Sequence, residues 1–405
     1  MERGQRLKPY AIAALGLLVA APALWPPPFR LTDHIFFWYV GRLYLGGASP
    51  YAPATWFDAA QRFDNVNVRY IVDLVASGGG TIWAYPPWTG YLFVPFGALP
   101  LEAGLWTLHG AYLAAAVGAA VTLGRLFRAT HWTILALSLL TLAAFQPFIY
   151  AVRIGHFAAF LLVGAVLTLY GLLRRSRWRL VAGAVLLATK PQVAPLFAIV
   201  VLAFLVRQHR WRDITWTSGV LLAVAAATIA LHPDSLAAMS SGGRERLSLI
   251  GPGTLNPVPN AWTIAAIVAG DRWAPFGAAL VIAVGISFWL AIARAAPPQR
   301  ATFALAGALV LSLFATPYVF SYDHLLLLPA AFVCFAAADP LPRAARLAQL
   351  VLTIAIAIVL PWLAFFVGVG SDDHGVSGVV PLFFAALLVS AALATRLPGA
   401  RSLSK

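Results

Sequence analysis

Residues 346–368 read RLAQLVLTIAIAIVLPWLAFFVG, with no charged side chain after Arg346. As a helix this stretch is about 34 Å long at ~1.5 Å per residue, enough to cross a hydrocarbon layer of about 30 Å. A helix on a soluble domain carries a charged face, and this one does not. Working outward, similar apolar cores lie at 9–25, 102–122, 131–149, 156–173, 179–190, 191–206, 213–231, 273–293, 301–316, 322–338 and 376–395. The sequence therefore predicts an all-α, polytopic membrane protein with about 12 transmembrane helices. Composition agrees: 61% of the 405 residues are apolar and 10% charged, against about 45–50% and about 25% in soluble domains. A disordered chain, a disulfide scaffold and a soluble nucleic-acid binder are excluded. The one cysteine, Cys334, sits in an apolar run, so no intrachain disulfide or Cys-based metal site is expected.

Two apolar stretches do not fit the list. Residues 83–100 are rich in Pro and Gly, and 258–270 is short. Both read as half-inserted or surface segments. Charge sets the orientation. With both termini in the cytoplasm, segments 1–8, 125–128, 174–179, 207–212, 294–300, 343–346 and 396–405 face inward and hold 19 of the 28 Lys and Arg residues. That satisfies the positive-inside rule. Counting 83–100 as a full span would put Arg174, Arg175, Arg177 and Arg179 outside. The net charge of +14 thus reads as topology and contact with anionic membrane lipid, not as nucleic-acid binding. Ten of the 14 acidic residues fall on the outer side, so acid chemistry is expected to face away from the cytoplasm. The N-terminal segment, with Ala20, Ala21 and Ala23, also fits a cleavable signal peptide. The inner loops stay positive only if it is retained. The expected location is a cell (plasma or inner) membrane.

The chain reads as one domain, 1–405, with outer loops at 26–82 and 232–260. Pro26, Pro27 and Pro28 end the first helix. Thr32 or Asp33 then caps a short helix, HIFFWYVGRLYLGG, stopped by Gly46 and Gly47. Its face of Ile35, Phe36, Tyr39, Leu43 and Tyr44 predicts an interfacial helix lying flat on the membrane. Further helices are expected from Pro53 to Phe63 and at about 65–76. The 232–260 loop reads as irregular, movable backbone.

Seven groups carry possible chemistry, each with a plain structural reading beside it. Asp33 is either a helix cap or a general base at the membrane surface. Lys190, in AVLLATKPQVAPLF, either satisfies carbonyls freed at the Lys-Pro break or pairs with a lipid phosphate. TPYVFSYDH, 316–324, gathers Tyr318, Tyr322, Asp323 and His324 at an outer end, as an aromatic belt with a cap or as a phosphate-binding group. Tyr85 in YPPW suits a sugar face or a lipid interface. Arg153 and His156 lie in RIGH at a helix end. Arg244, with Glu245 and Arg246, is a binding cluster or a solvated loop. Asp372, Asp373 and His374 read more readily as a polar turn than as a metal site, because one turn rarely supplies a full ligand set. No metal and no cofactor is expected. Walker A and HExxH patterns are absent.

Taken in order, these features resemble glycosyltransferase family 87: Asp33 after the first span, GGASPY (46–51), YPP (85–87), VPFGALP (94–100), Trp106, KP (190–191) and YDH (322–324). The resemblance runs from about residue 30 to 330. It departs at Gly155–His156, where many relatives carry Gly-Gln, and at NPVPNAW (256–262), which matches only loosely. The resemblance implies a GT-C type fold. It implies a polyprenyl-phosphate-sugar donor, mannose most often, and a glycolipid or glycan acceptor. It implies inverting transfer outside the cytoplasm, with Asp33 as general base and Lys190 and His324 stabilising the donor phosphate.

Two other classes compete. A lipid-sugar flippase predicts charges along a path through the membrane and inverted repeats, whereas here polar residues gather at the outer face. A non-catalytic membrane subunit predicts that Asp33, Lys190 and His324 are scattered.

Overall fold

A computed structural model describes residues 25, 27, 29, 32–52, 55–57, 83, 85–127, 143–240, 260–270, 273–293, 297–316, 319–368 and 378–394. The described residues are helical, with no strand among them. In order come α1 (Asp33–Leu45), α2 (Pro87–Tyr91), α3 (Val94–Gly97), α4 (Leu101–Leu126), α5 (Gln146–Ile154), α6 (Ala158–Leu173), α7 (Arg177–Leu187) and α8 (Pro195–Arg207). Then follow α9 (Trp211–Leu231), α10 (Ala261–Ala269), α11 (Trp273–Ala293), α12 (Pro297–Ala315), a 3-10 helix (Ser321–Leu327), α13 (Leu328–Ala338), α14 (Arg343–Ile354), α15 (Leu360–Gly368) and α16 (Val379–Ala394). Five stretches are long and apolar enough to cross a bilayer: Leu101–Leu126, Trp211–Leu231, Ala274–Ala293, Ser321–Ala338 and Arg343–Val367. This is a polytopic membrane protein, though the expected twelve spans are not all seen. The cores at 9–25 and most of 131–149 lie outside the described residues, as do the helix expected at 65–76 and nearly all of the 232–260 loop beyond Ser240.

The stretch that opened the reading is one apolar rod with a π turn at Ala355–Val359. Pro361 explains it. Proline has no N–H for the carbonyl one turn back and its ring crowds that carbonyl, so the ladder slips by one residue. Residues 83–100 form α2 and α3, parted by Leu92 and Phe93, and neither approaches the length of a span.

The expected spans at 179–190 and 191–206 are corrected to two short helices. α7 has 11 residues and α8 has 13, both under the roughly 20 of a full crossing. Between membrane helices, close backbone approach does what water-driven collapse does in soluble proteins. α7 lies on α6 that way. A Cβ on Gly183 would strike Thr168, and one on Gly171 would strike Leu180.

Arginines close the ends of these helices. Arg174 Nη2 donates to Leu126 O at the end of α4, and Arg210 Nη1 donates to Leu172 O at the end of α6. Cations suit helix C-termini, where carbonyls lack partners. One end of the bundle is therefore rich in arginine, and the break at Lys190 lies toward the other.

α1 differs most from expectation. It has no wet face of the kind an interfacial helix shows: ten of its 13 residues are buried in protein. Gly41 and Gly97 let α1 and α3 touch backbone to backbone, since a Cβ on Gly97 would overlap Arg42 N and the Gly41 backbone. Trp38 Nε1 donates to Leu99 O at 3.2 Å, and Tyr44 Oη donates to Pro87 O at 2.7 Å. Gly46 and Gly47 end the helix as predicted, Gly47 with φ +70°.

Candidate active site

The site grows from the helix break. Pro191 removes a donor and forces extended backbone on the residue before it, so α7 stops before Lys190. The carbonyls freed there find partners elsewhere. Ala188 O accepts from Trp88 Nε1 at 2.9 Å, Thr189 O from Thr89 Oγ1 at 2.8 Å, and Gln192 O from Thr316 Oγ1 at 2.6 Å. With those three carbonyls served, the Lys190 ammonium reaches Asp323, donating to both carboxylate oxygens at 2.8 and 2.7 Å. Both side chains are fully enclosed. Asp323 Oδ2 also accepts the Phe320 N–H at 3.0 Å. Removing two ions from water costs several kcal/mol each, so such a pair needs these added bonds. Lys190 Nζ lies 4.9 Å from the centre of the Tyr322 ring.

His156 joins from the turn between α5 and α6. Gly155 takes φ +84° there. His156 Nδ1 accepts the Ala158 N–H at 3.2 Å, which puts the ring proton of the neutral imidazole on Nε2. Nε2 then donates to Tyr85 Oη at 3.2 Å. The His156 ring stacks on Tyr322 with centroids 3.9 Å apart. Tyr85 is held in turn by Tyr51, whose hydroxyl donates to Tyr85 O at 2.6 Å. Lys190, Asp323, Tyr322, His156 and Tyr85 are thus one contiguous group.

Asp33 approaches it from α1. Thr32 is the N-cap residue and its side chain makes no capping bond; Asp33 is the first helical residue, half-buried. A carboxylate in the first turn is favoured by the helix dipole. The Asp33 charge is close enough to act on the phenols of Tyr112 and Tyr150. The Tyr150 ring lies 6.3 Å from that of Tyr322. His324 is buried beside Asp323 in the 3-10 turn, and Arg153 is exposed in the last turn of α5. Arg244, Glu245, Arg246, Tyr318 and Asp372–His374 lie outside the described residues. Among the described residues no three His, Cys, Asp or Glu side chains are placed to hold a metal ion.

Sequence reasoning missed the support behind Asp33. His34 and His109 are both buried, with His109 Nδ1 3.3 Å from His34 Nε2. Thr32 Oγ1 donates to Phe29 O at 3.0 Å, so it can only accept at His34 Nδ1, also 3.0 Å away. The proton directions follow: His109 Nδ1–H to His34 Nε2, His34 Nδ1–H to Thr32, and Thr32 to Phe29. Burial first, and then the neighbouring His109, push the His34 imidazole down to about 3. The signal was available, since His109 is an ionisable residue within an apolar run, where such residues are rare. Tyr112 was missed too. Its hydroxyl is buried and finds no hydrogen-bond partner among the described residues.

A family model described as Glycosyltransferase family 87 matches residues 83–317, more than half of the chain. The chain belongs to glycosyltransferase family 87. The family match covers Tyr85, Arg153, His156, Lys190 and Arg244, whereas Asp33 and Tyr322–His324 lie beyond its limits. No curated protein and no solved structure matches the chain. Membership makes it a membrane glycosyltransferase.

Proposed function

We propose that this family 87 glycosyltransferase moves a sugar, mannose in the first instance, from a polyprenyl-phosphate donor to a hydroxyl of a glycolipid or glycan, outside the cytoplasm and with inversion. The observation that supports this reading is the Gly155–His156 turn, which packs on His34 and Phe37 of α1 on one side and stacks on Tyr322, beside Lys190, on the other. In the proposed step the acceptor oxygen attacks the anomeric carbon and its proton passes to Asp33. The bond from that carbon to the phosphate oxygen breaks, and the electron pair leaves with polyprenyl phosphate. Such a leaving group needs no general acid, so one carboxylate and nearby cationic donors suffice. Asp323 is engaged by Lys190 and the Phe320 amide, which favours Asp33 over it as the base. Lys190, His324 and Arg153 supply positive charge or donors toward the phosphate. Tyr85, Tyr322 and His156 form an aromatic wall suited to a sugar face. Arg244 is kept as a further phosphate contact on sequence grounds. The arginine-rich end faces the cytoplasm in this reading.

The test is sugar transfer by purified protein, given a synthetic polyprenyl-phosphate mannose and extracted cell-envelope lipids, for wild type and Asp33→Asn. Transfer by wild type that falls at least about a thousandfold in the variant, with thermal unfolding unchanged, is the expected result for loss of the base. Transfer unaffected by the substitution removes Asp33 from the mechanism. Movement of the lipid-linked sugar across liposomes without transfer would favour a flippase, and neither activity would favour a non-catalytic subunit.

A further inference from the structure

A cavity of about 270 Å³ runs between α7, α8 and α9, with Thr168 of α6 at its back. Its walls are almost wholly apolar and include Leu180, Leu202 and Leu221. One end lies at Ala188 and Pro191, beside the Lys190 break. The other lies at Leu180 and Ile214, next in sequence to the arginine-rich turns. It is a groove on the flank of the bundle, because its wall residue Leu202 is 50% exposed and Ala198, also in the wall, is exposed.

The charge at its second end is unbalanced. Residues 174–179 and 207–213 carry Arg174, Arg175, Arg177, Arg179, Arg207, Arg210 and Arg212 against the single carboxylate of Asp213. Arg177 Nε and Arg210 Nε share that carboxylate at 2.9 and 2.7 Å. Arg175, Arg207 and Arg212 are exposed. Trp178 and Trp216 meet edge to face at 5.7 Å, both exposed, and Trp211 is exposed beside them. Aromatic rings of this kind sit at the level of lipid headgroups.

We infer that this groove is a binding site for an anionic phospholipid, one acyl chain lying between α7, α8 and α9 and the phosphate held at the mouth by Arg207 and Arg212. Charge complementarity selects this occupant. At the groove's other end the adjoining Lys190 is fully enclosed and bonded to Asp323, whereas at the Arg end Arg207 and Arg212 are exposed at the surface. The inference does not depend on glycosyl transfer. Each arginine near a charged headgroup contributes about fivefold in affinity, and the effect fades with salt.

The test is native mass spectrometry of the full-length protein, delipidated in detergent and titrated with phosphatidylglycerol or phosphatidylcholine of the same acyl chains. Wild type is expected to retain phosphatidylglycerol at least about fivefold better at low salt. R207Q/R212Q should abolish the preference, and Leu202→Trp should weaken retention of both lipids by filling the groove. Ala198→Phe, at another exposed wall position, repeats the filling test should Leu202→Trp unfold. Equal retention of the two lipids by wild type would overturn the inference, as would phosphatidylglycerol binding untouched by both fillers. Polyprenyl phosphate that displaces phosphatidylglycerol, with no effect of R207Q/R212Q, would assign the groove to a polyprenyl chain instead.

Discussion

Lys190 and Asp323 are 133 residues apart and enclose each other fully. Removing one partner leaves a buried charge without its counter-ion, which costs about 3–5 kcal/mol, while replacing both by apolar groups of similar size is often neutral. Lys190→Met and Asp323→Leu should each lower the unfolding temperature well below wild type. The double variant should recover much of the loss in stability, though not sugar transfer. Thermal unfolding and transfer assays on the four proteins check this, and a double variant less stable than either single one would contradict it. His34 supplies a pH test. Its folded-state value is about 3 against an ordinary 6.5, so between those limits the unfolded chain binds the proton and the folded one does not. Stability therefore falls as pH drops below about 6.5, by about 1.4 kcal/mol per unit from this group. The slope of unfolding temperature against pH from 7 to 5 should be shallower in His34→Asn than in wild type. Tyr112→Phe removes a buried hydroxyl with no described partner, so stability should hold or rise slightly; a marked fall would reveal a partner beyond the described residues.

At the scale of elements, the site depends on how closely α1 can approach its neighbours. Gly155 is held at φ +84°, and a Cβ there would overlap His34. Gly155→Ala should cost about 2–4 kcal/mol, combining the left-handed backbone with overpacking. It should also lower transfer more than tenfold, by displacing the start of α1 and with it Asp33. Unchanged transfer and stability would show that α1 is not positioned by this contact. The Lys190 break is the other element-scale device. Its proline punctuation was legible, but the partners of its carbonyls were not. Trp88, Thr89 and Thr316 lie roughly a hundred residues away along the chain, and no local pattern in the sequence marks a hydrogen bond over that separation.

Across the whole molecule, the arginine-capped helix ends and the Lys190 break lie at opposite ends, and the proposed orientation, which follows the charge bias, puts the arginine end in the cytoplasm. Cysteine scanning tests the assignment, since the native Cys334 is buried. Arg153→Cys should react with a membrane-impermeant maleimide on intact cells, and Arg175→Cys only after the membrane is opened. The reverse pattern would invert the topology and place the proposed chemistry in the cytoplasm.

Hydropathy, charge and punctuation determined by themselves that the chain is helical and membrane-embedded, where α1 ends, and which residue types are too costly at membrane depth to be incidental. These are local properties: each is fixed by a few consecutive side chains and the solvent they face. The tertiary structure decided what pairs with what. Asp323 reads as a cap or a phosphate contact along the chain, and it became the counter-ion of Lys190 because folding placed the two together. α1 reads as an interfacial helix, and it became a buried one because glycines on α3 and on the turn after α5 admit it. The histidines behind Asp33 lie on two helices that only packing brings together. Contacts between distant segments depend on the sum of many small fits, and no single stretch of sequence encodes that sum.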